Sequence, residues 1–305
     1  MRRVMVLAAT AFLASGLWLA PASANASHLP NKTLVLIGGF GRNIGETHWG
    51  ALKEQLALRD FPDSNVLEFQ YAGGTFSPDG SWNPYPGGAC ESYSKASFLM
   101  LRQMMLDLTQ VRPDNEVFLV GYDVGGFVAT MSLWAAAFQQ DDPAIWQNLS
   151  GIASISGAMS GLTDRRVGIE GTVAARQGCA DQSMLLWMKE VGDNPERYVV
   201  SQQRAALAMQ EGYKIGSFGN TVDCFYRYVS PDICPKMQER AGAQAVLLPL
   251  LGDERQTMFI KNGTVYKEYN VAAPVPDELA DNHAAVLVSS GPMADLAEYV
   301  LSQTR

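Results

Sequence analysis

The chain has 305 residues, of which 47% are hydrophobic and 18% charged, enough for one large α/β domain with a full core. Its net charge is −8, and no Lys/Arg cluster appears beyond Arg165–Arg166, so nucleic acid is set aside as a partner. No internal repeat of 20–50 residues is visible, which excludes solenoids and propellers.

In chain order, Arg2 and Arg3 precede an apolar run from Val4 to Ala20, then Pro21 and Ala22-Ser23-Ala24-Asn25-Ala26. A charged start, a short apolar stretch and an A-x-A site predict a secretory signal peptide over 1–26, cleaved after Ala24 or Ala26. The mature protein is then secreted or periplasmic, with no stable membrane anchor left after cleavage. Four cysteines remain, Cys90, Cys179, Cys224 and Cys234, and an even count in an exported chain predicts disulfides. Four cysteines allow three pairings. The short loop between Cys224 and Cys234 favours that pair, which leaves Cys90 with Cys179. No C-x-x-C occurs and histidines number three, so neither a metal nor a cofactor is expected.

Thr33–Ile37 reads as a short apolar strand ending in Gly38-Gly39-Phe40-Gly41, followed by a helix from about Trp49 to Leu58. Val66–Tyr71 is a second strand, and a Gly/Pro/aromatic loop runs from Gly73 to Ala89. A long helix begins at Ser92 or Ser94 and stops before Pro113. Glu116–Val120 is a buried strand, Gly125–Phe138 a helix, Asp142-Pro143 a capped helix start and Ile152–Ile155 a strand. From about Gly157 to Gly242 no core strand is evident. Asn194-Pro195 opens a helix expected to reach about Gly212. Strands return at Ala245–Leu251 and Thr264–Val271, before a closing helix over Pro292–Gln303.

Strands alternating with helices predict an α/β fold, a mostly parallel central sheet with helices on both faces. The core is expected to comprise 27–156 and 243–305, interrupted by a mainly helical cap insert over 157–242.

The segment Val117-Phe118-Leu119-Val120-Gly121-Tyr122-Asp123-Val124-Gly125-Gly126 reads as strand, sharp turn and helix. It fits the nucleophile elbow G-x-[nucleophile]-x-G, with aspartate where serine is usual. Glycines two before and two after let the backbone pass through a tight turn, and the helix N-terminus supplies N–H donors and a positive dipole end. An aspartate could also be a plain helix N-cap there. Of the histidines, His28 adjoins the cleavage region and His48 reads as a helix-terminal polar residue. His283, after the last strand, stands where a catalytic base is needed, in the chain order nucleophile, acid, histidine. Asp253 or Glu254, after Ala245–Leu251, would supply the orienting acid, with Asp253 preferred for its shorter side chain. The N–H groups of Val124 and Phe40 would form an oxyanion hole.

On these residues the chain resembles the α/β-hydrolase superfamily over its whole mature length. The Gly38–Gly41 loop, the long Gly/Pro loop before Cys90 and Asp253 with His283 are similar to secreted bacterial lipases and esterases. Gly121-Tyr122-Asp123-Val124-Gly125-Gly126 resembles the elbow of epoxide hydrolases and haloalkane dehalogenases. Those families have tryptophan after the aspartate, which the dehalogenases use to hold halide. Val124 departs from that pattern and disfavours dehalogenation. The resemblance implies a hydrolase of a small to medium apolar substrate (epoxide, ester or lactone), with Asp123 as nucleophile or base and His283 activating water. The other reading is a catalytically inactive binding protein of the same fold, in which the serine has been lost.

Overall fold

The computed structural model describes residues 31–40, 49–162, 164–220, 265–269, 271 and 283–303. The elements follow in chain order: β1 (Lys32–Ile37), α1 (Gly50–Ala57), β2 (Val66–Phe69), β3 (Gly74–Phe76), β4 (Trp82–Pro84), α2 (Ala96–Val111), β5 (Glu116–Tyr122) and α3 (Val124–Ala137). After them come α4 (Pro143–Trp146), β6 (Leu149–Ile155), α5 (Asp164–Arg176), α6 (Ser183–Asp193), α7 (Gln202–Gln210), β7 (Lys214–Asn220), β8 (Val265–Tyr269) and α8 (Ser290–Ser302).

Among the described residues, the central sheet has the order β2-β1-β5-β6-β7-β8, and every neighbouring pair is parallel. Alternate residues of each strand feed opposite faces. Val35, Ile37, Val117 and Leu119 pack with Met105 of α2, Phe127 of α3 and Met188 of α6. Leu34, Leu36, Phe118 and Val120 pack with Leu52 and Leu56 of α1 and Leu296 and Val300 of α8. A sheet buried on both faces explains why its central strands read as continuous apolar runs rather than alternating ones. The expected parallel sheet covered on both faces is therefore present.

Three expectations change. The segment 157–242, read as cap, contains a strand of the sheet: β7 lies between β6 and β8. Its sequence, Lys-Ile-Gly-Ser-Phe-Gly-Asn, hides this because two of its positions are glycine. Gly216 is small for a reason, since a Cβ there would come within 2.5 Å of the Tyr299 ring of α8. The strand expected at Ala245–Leu251 lies outside the described residues.

The helix expected from Pro195 to Gly212 is instead broken. Pro195–Arg197 forms one 3-10 turn, Val199 is drawn fully into the core, and α7 starts afresh where Ser201 Oγ accepts from the Arg204 N–H. The Gly73–Ala89 loop holds a small antiparallel ribbon, β3–β4, in which Phe76 packs on Trp82. Asp142 caps α4 as expected, its carboxylate accepting from the Ala144 N–H at 3.0 Å. Cys90 and Cys179 are joined in a disulfide. Cys224–Cys234 and the 1–26 signal segment lie outside the described residues. No helix among those described is long and apolar enough to cross a membrane.

Candidate active site

Parallel strands all point their C-terminal ends to one edge of the sheet, where ligands of open α/β sheets bind. At that edge β5 turns sharply into α3, and the residue at the turn is Asp123. Its backbone has φ 55 and ψ −122, a combination that side-chain-bearing residues rarely adopt and that costs of order 1–3 kcal/mol.

The flanking glycines make the turn possible. A Cβ on Gly121 would stand 2.1 Å from the Gly125 carbonyl oxygen, and one on Gly125 would stand 2.1 Å from that of Ile37. Asp123 does not act as a side-chain N-cap; its carboxylate makes no capping bond to α3. Its main chain ties the turn down instead, the Asp123 carbonyl accepting from the Gly126 N–H at 3.0 Å and the Ala158 N–H at 3.3 Å. The plain cap reading of this residue is thereby replaced by a strained elbow that lifts the carboxylate clear of the helix.

The two carboxylate oxygens have different neighbours. Oδ2 accepts from the Phe40 N–H at 2.9 Å. Oδ1 faces His283 Nε2 at 3.6 Å, with both side chains largely buried. His283 enters just before the turn Ala285–Val288 that leads into α8, and its ring lies against that of Tyr122, centroids 5.0 Å apart. Val124 is the first residue of α3 and is fully buried, so its N–H belongs to the open first turn of the helix beside Asp123. The structure thus brings Asp123, His283, Phe40 and Val124 to one place. Asp253, Glu254 and His48 lie outside the described residues.

Sequence reading overlooked Tyr71 and Tyr93. Tyr71, just past β2, is buried and donates its phenol proton to the Gly38 carbonyl at 2.5 Å. Burial, and then the charge of Asp123, push its pKa well above the ordinary tyrosine value, so it remains a protonated donor. Tyr93 stacks on Phe40 with ring centroids 4.5 Å apart. The available signal was position: Tyr71 lies just past a parallel strand, at the edge where Gly38 and Asp123 also lie just past theirs. Gly39 approaches Asp123 so closely that a Cβ would meet Oδ2 at 2.7 Å.

No protein-family profile and no curated protein matches the sequence. Among solved structures, one similar to it is a carboxylesterase of the ammonia-oxidizing thaumarchaeon Nitrososphaera gargenis. It is 14% identical, with a TM-score of 0.46, and covers 90% of this chain and 91% of that one. A metagenomic carboxyl esterase is 13% identical with a TM-score of 0.44, over 88% of this chain and 74% of that one. The siderophore hydrolase of Aspergillus nidulans is 12% identical with a TM-score of 0.43, over 91% and 84%. The strand order β2-β1-β5-β6-β7-β8, the strained residue between β5 and α3 and the histidine between β8 and α8 are together the α/β-hydrolase fold.

Proposed function

We propose that this chain is an exported hydrolase in which Asp123 is a nucleophile toward a small to medium apolar epoxide, and His283 activates the water that releases the product. One observation carries this reading: Oδ2 of Asp123 already occupies the Phe40 N–H, while Oδ1 faces His283. An oxyanion hole serving a substrate ester would have to be open to the substrate's own carbonyl oxygen. Here the donor is engaged with the protein's carboxylate, the arrangement needed if the tetrahedral intermediate forms on Asp123 itself.

The chemistry follows. Oδ1 attacks a ring carbon of the epoxide, the ring C–O bond breaks, and the oxygen so released takes up a proton from water. The product is an ordinary ester on Asp123. Attack by the same carboxylate on an ester or lactone carbonyl would leave a mixed anhydride, an uphill intermediate, so the saturated, strained carbon is favoured. His283 then removes a proton from water, whose oxygen adds to Cγ. The resulting oxyanion at Oδ2 accepts from the Phe40 and Val124 N–H groups. Its collapse breaks the Cγ–Oδ1 bond, His283 returns its proton to the departing oxygen as the diol leaves, and the regenerated aspartic acid gives its proton to water. One water oxygen stays in the carboxylate.

A carboxylate orienting His283 would follow the strand between β6 and β8. That strand is β7, ending at Asn220, and the first carboxylate past it in sequence is Asp223, thirty residues before Asp253. Asp223 therefore joins Asp253 as a candidate for the acid. Export is supported by the leader over 1–26 together with the Cys90–Cys179 disulfide, since disulfides persist in oxidising compartments.

The test is intact-protein mass spectrometry after incubation with a panel of terminal aryl and alkyl epoxides. His283→Gln is expected to react once and stall as an adduct on the peptide containing Asp123, and Asp123→Asn to form none. Unmodified His283→Gln protein, while wild type turns over the same epoxide, rules out covalent catalysis by Asp123. Between Asp223→Asn and Asp253→Asn, the variant that also accumulates adduct identifies the acid.

A further inference from the structure

The tetrahedral intermediate depends on the N–H of Phe40 standing where Oδ2 lies, and the segment carrying it opens on two glycines. Gly38 and Gly39 offer no side chains to pack, and the two glycines could rotate that N–H away at small cost. Among the described residues, two contacts from outside the loop oppose this. On one side the Tyr71 phenol donates to the Gly38 carbonyl at 2.5 Å, fixing the peptide that precedes Gly39. On the other, the Phe40 ring lies flat on that of Tyr93, centroids 4.5 Å apart and planes 10° from parallel. Tyr93 is 1% exposed and sits three residues after Cys90, whose disulfide to Cys179 anchors this platform to the segment before α6.

We propose that Tyr71 and Tyr93 are positioning residues that clamp the Gly38–Phe40 loop from two sides, so that the Phe40 N–H stays on the Asp123 carboxylate. The proposal rests, for its catalytic consequence, on Asp123 being the nucleophile. The N–H donor then matters most where negative charge develops on Oδ2, which is the hydrolysis of the aspartyl ester and not its formation. Loosening the loop should therefore slow the second step selectively.

Three variants test this. Tyr71→Phe removes only the hydroxyl, Tyr93→Leu removes the stacking face, and Tyr93→Phe restores that face without the hydroxyl. For Tyr71→Phe and Tyr93→Leu, kcat is expected to fall by roughly 10- to 100-fold, less than the loss of a whole oxyanion donor. KM should fall with it, kcat/KM should change little, and adduct on Asp123 should accumulate with His283 intact. Tyr93→Phe, which keeps the stacking face, should recover most of the wild-type kcat. A merely structural role would lower kcat/KM through lost folded protein and would leave no adduct. Independently of any substrate, amide hydrogen exchange at Phe40, read by NMR, should speed up about 10-fold or more in the first two variants and not in Tyr93→Phe. Wild-type exchange at Phe40 together with wild-type kcat in Tyr71→Phe and Tyr93→Leu would overturn the clamp. If His283→Gln forms no adduct, the nucleophile reading falls, and the Phe40 exchange rates still decide whether the two tyrosines hold the loop.

Discussion

At the scale of single residues, the site is built from close approaches that leave no room for a methyl group. Gly39 and Gly121 are both glycine for steric reasons, but the obstacles differ. A Cβ on Gly39 meets the Asp123 side chain, at 2.7 Å from Oδ2, which can rotate away, and at 2.9 Å from Cβ, which yields only by a small shift of the loop. A Cβ on Gly121 meets backbone, the Gly125 carbonyl at 2.1 Å and the Gly126 nitrogen at 2.5 Å, which cannot move without undoing the elbow. Gly39→Ala is therefore expected to fold with a loss of roughly 1–2 kcal/mol, and to form adduct but release it slowly, because Oδ2 is pushed off the Phe40 N–H that ester hydrolysis needs. Gly121→Ala should be destabilised by about 3 kcal/mol or more, as overpacking against fixed backbone requires. Urea denaturation beside single-turnover adduct formation separates the two. Equal stability losses in both variants would contradict the distinction drawn here.

At the scale of elements, α8 is the lid on the second face of the sheet and leans on a buried lysine. Lys32, the first residue of β1, is 5% exposed, and its ammonium donates to the carbonyls of Val300, at 2.7 Å, and Gln303 at the end of α8. A cation at a helix C-terminus satisfies carbonyls that have no intrahelical partner and meets the negative end of the dipole. Burial lowers the lysine's pKa, with the Glu116 charge opposing that shift, so the capping charge is held against a desolvation cost. Lys32→Met keeps the apolar stem and removes the donor. It should destabilise the protein by roughly 1–3 kcal/mol, the range for a hydrogen bond to a charged group. Thermal denaturation measures this, and a Tm equal to or above that of wild type would show that the cap does not offset its burial.

At the scale of the whole molecule, the two cores are closed by different means. The first-face core is tied across 89 residues by Cys90–Cys179, while the second is closed by α8 through aromatic packing of Tyr299 on Phe118 and Phe218. Burial raises the pKa of Tyr299 well above its ordinary value. A phenol whose folded pKa exceeds the unfolded one contributes stability that is complete below about pH 10 and is lost as pH rises through the window above it. Stability should thus fall as pH passes about 10, and Tyr299→Phe should flatten that fall while keeping the ring. Guanidinium midpoints at pH 8 and pH 11 for both proteins test this. An undiminished alkaline loss in Tyr299→Phe would assign it to other groups.

What the sequence by itself determined was whatever local pattern carries. The apolar runs at Thr33–Ile37 and Glu116–Val120, the glycines around Asp123 and the Asp142-Pro143 cap each state their structure within a few residues, because turn sterics, capping and burial on both faces act locally. Placing His283 after the last strand needed only chain order. Only the tertiary structure decided the rest. Lys214–Asn220 became a sheet strand although two of its seven residues are glycine, since Tyr299 of α8 fills the space that strand side chains would otherwise take. Likewise Tyr71 and Tyr93, distant in sequence from Gly38 and Phe40, meet them only in the folded chain, Tyr71 from just past β2 and Tyr93 from the 3-10 turn ahead of α2. Contacts between residues so far apart leave no periodic trace in the chain, and their physical reason is the packing that closes over the site.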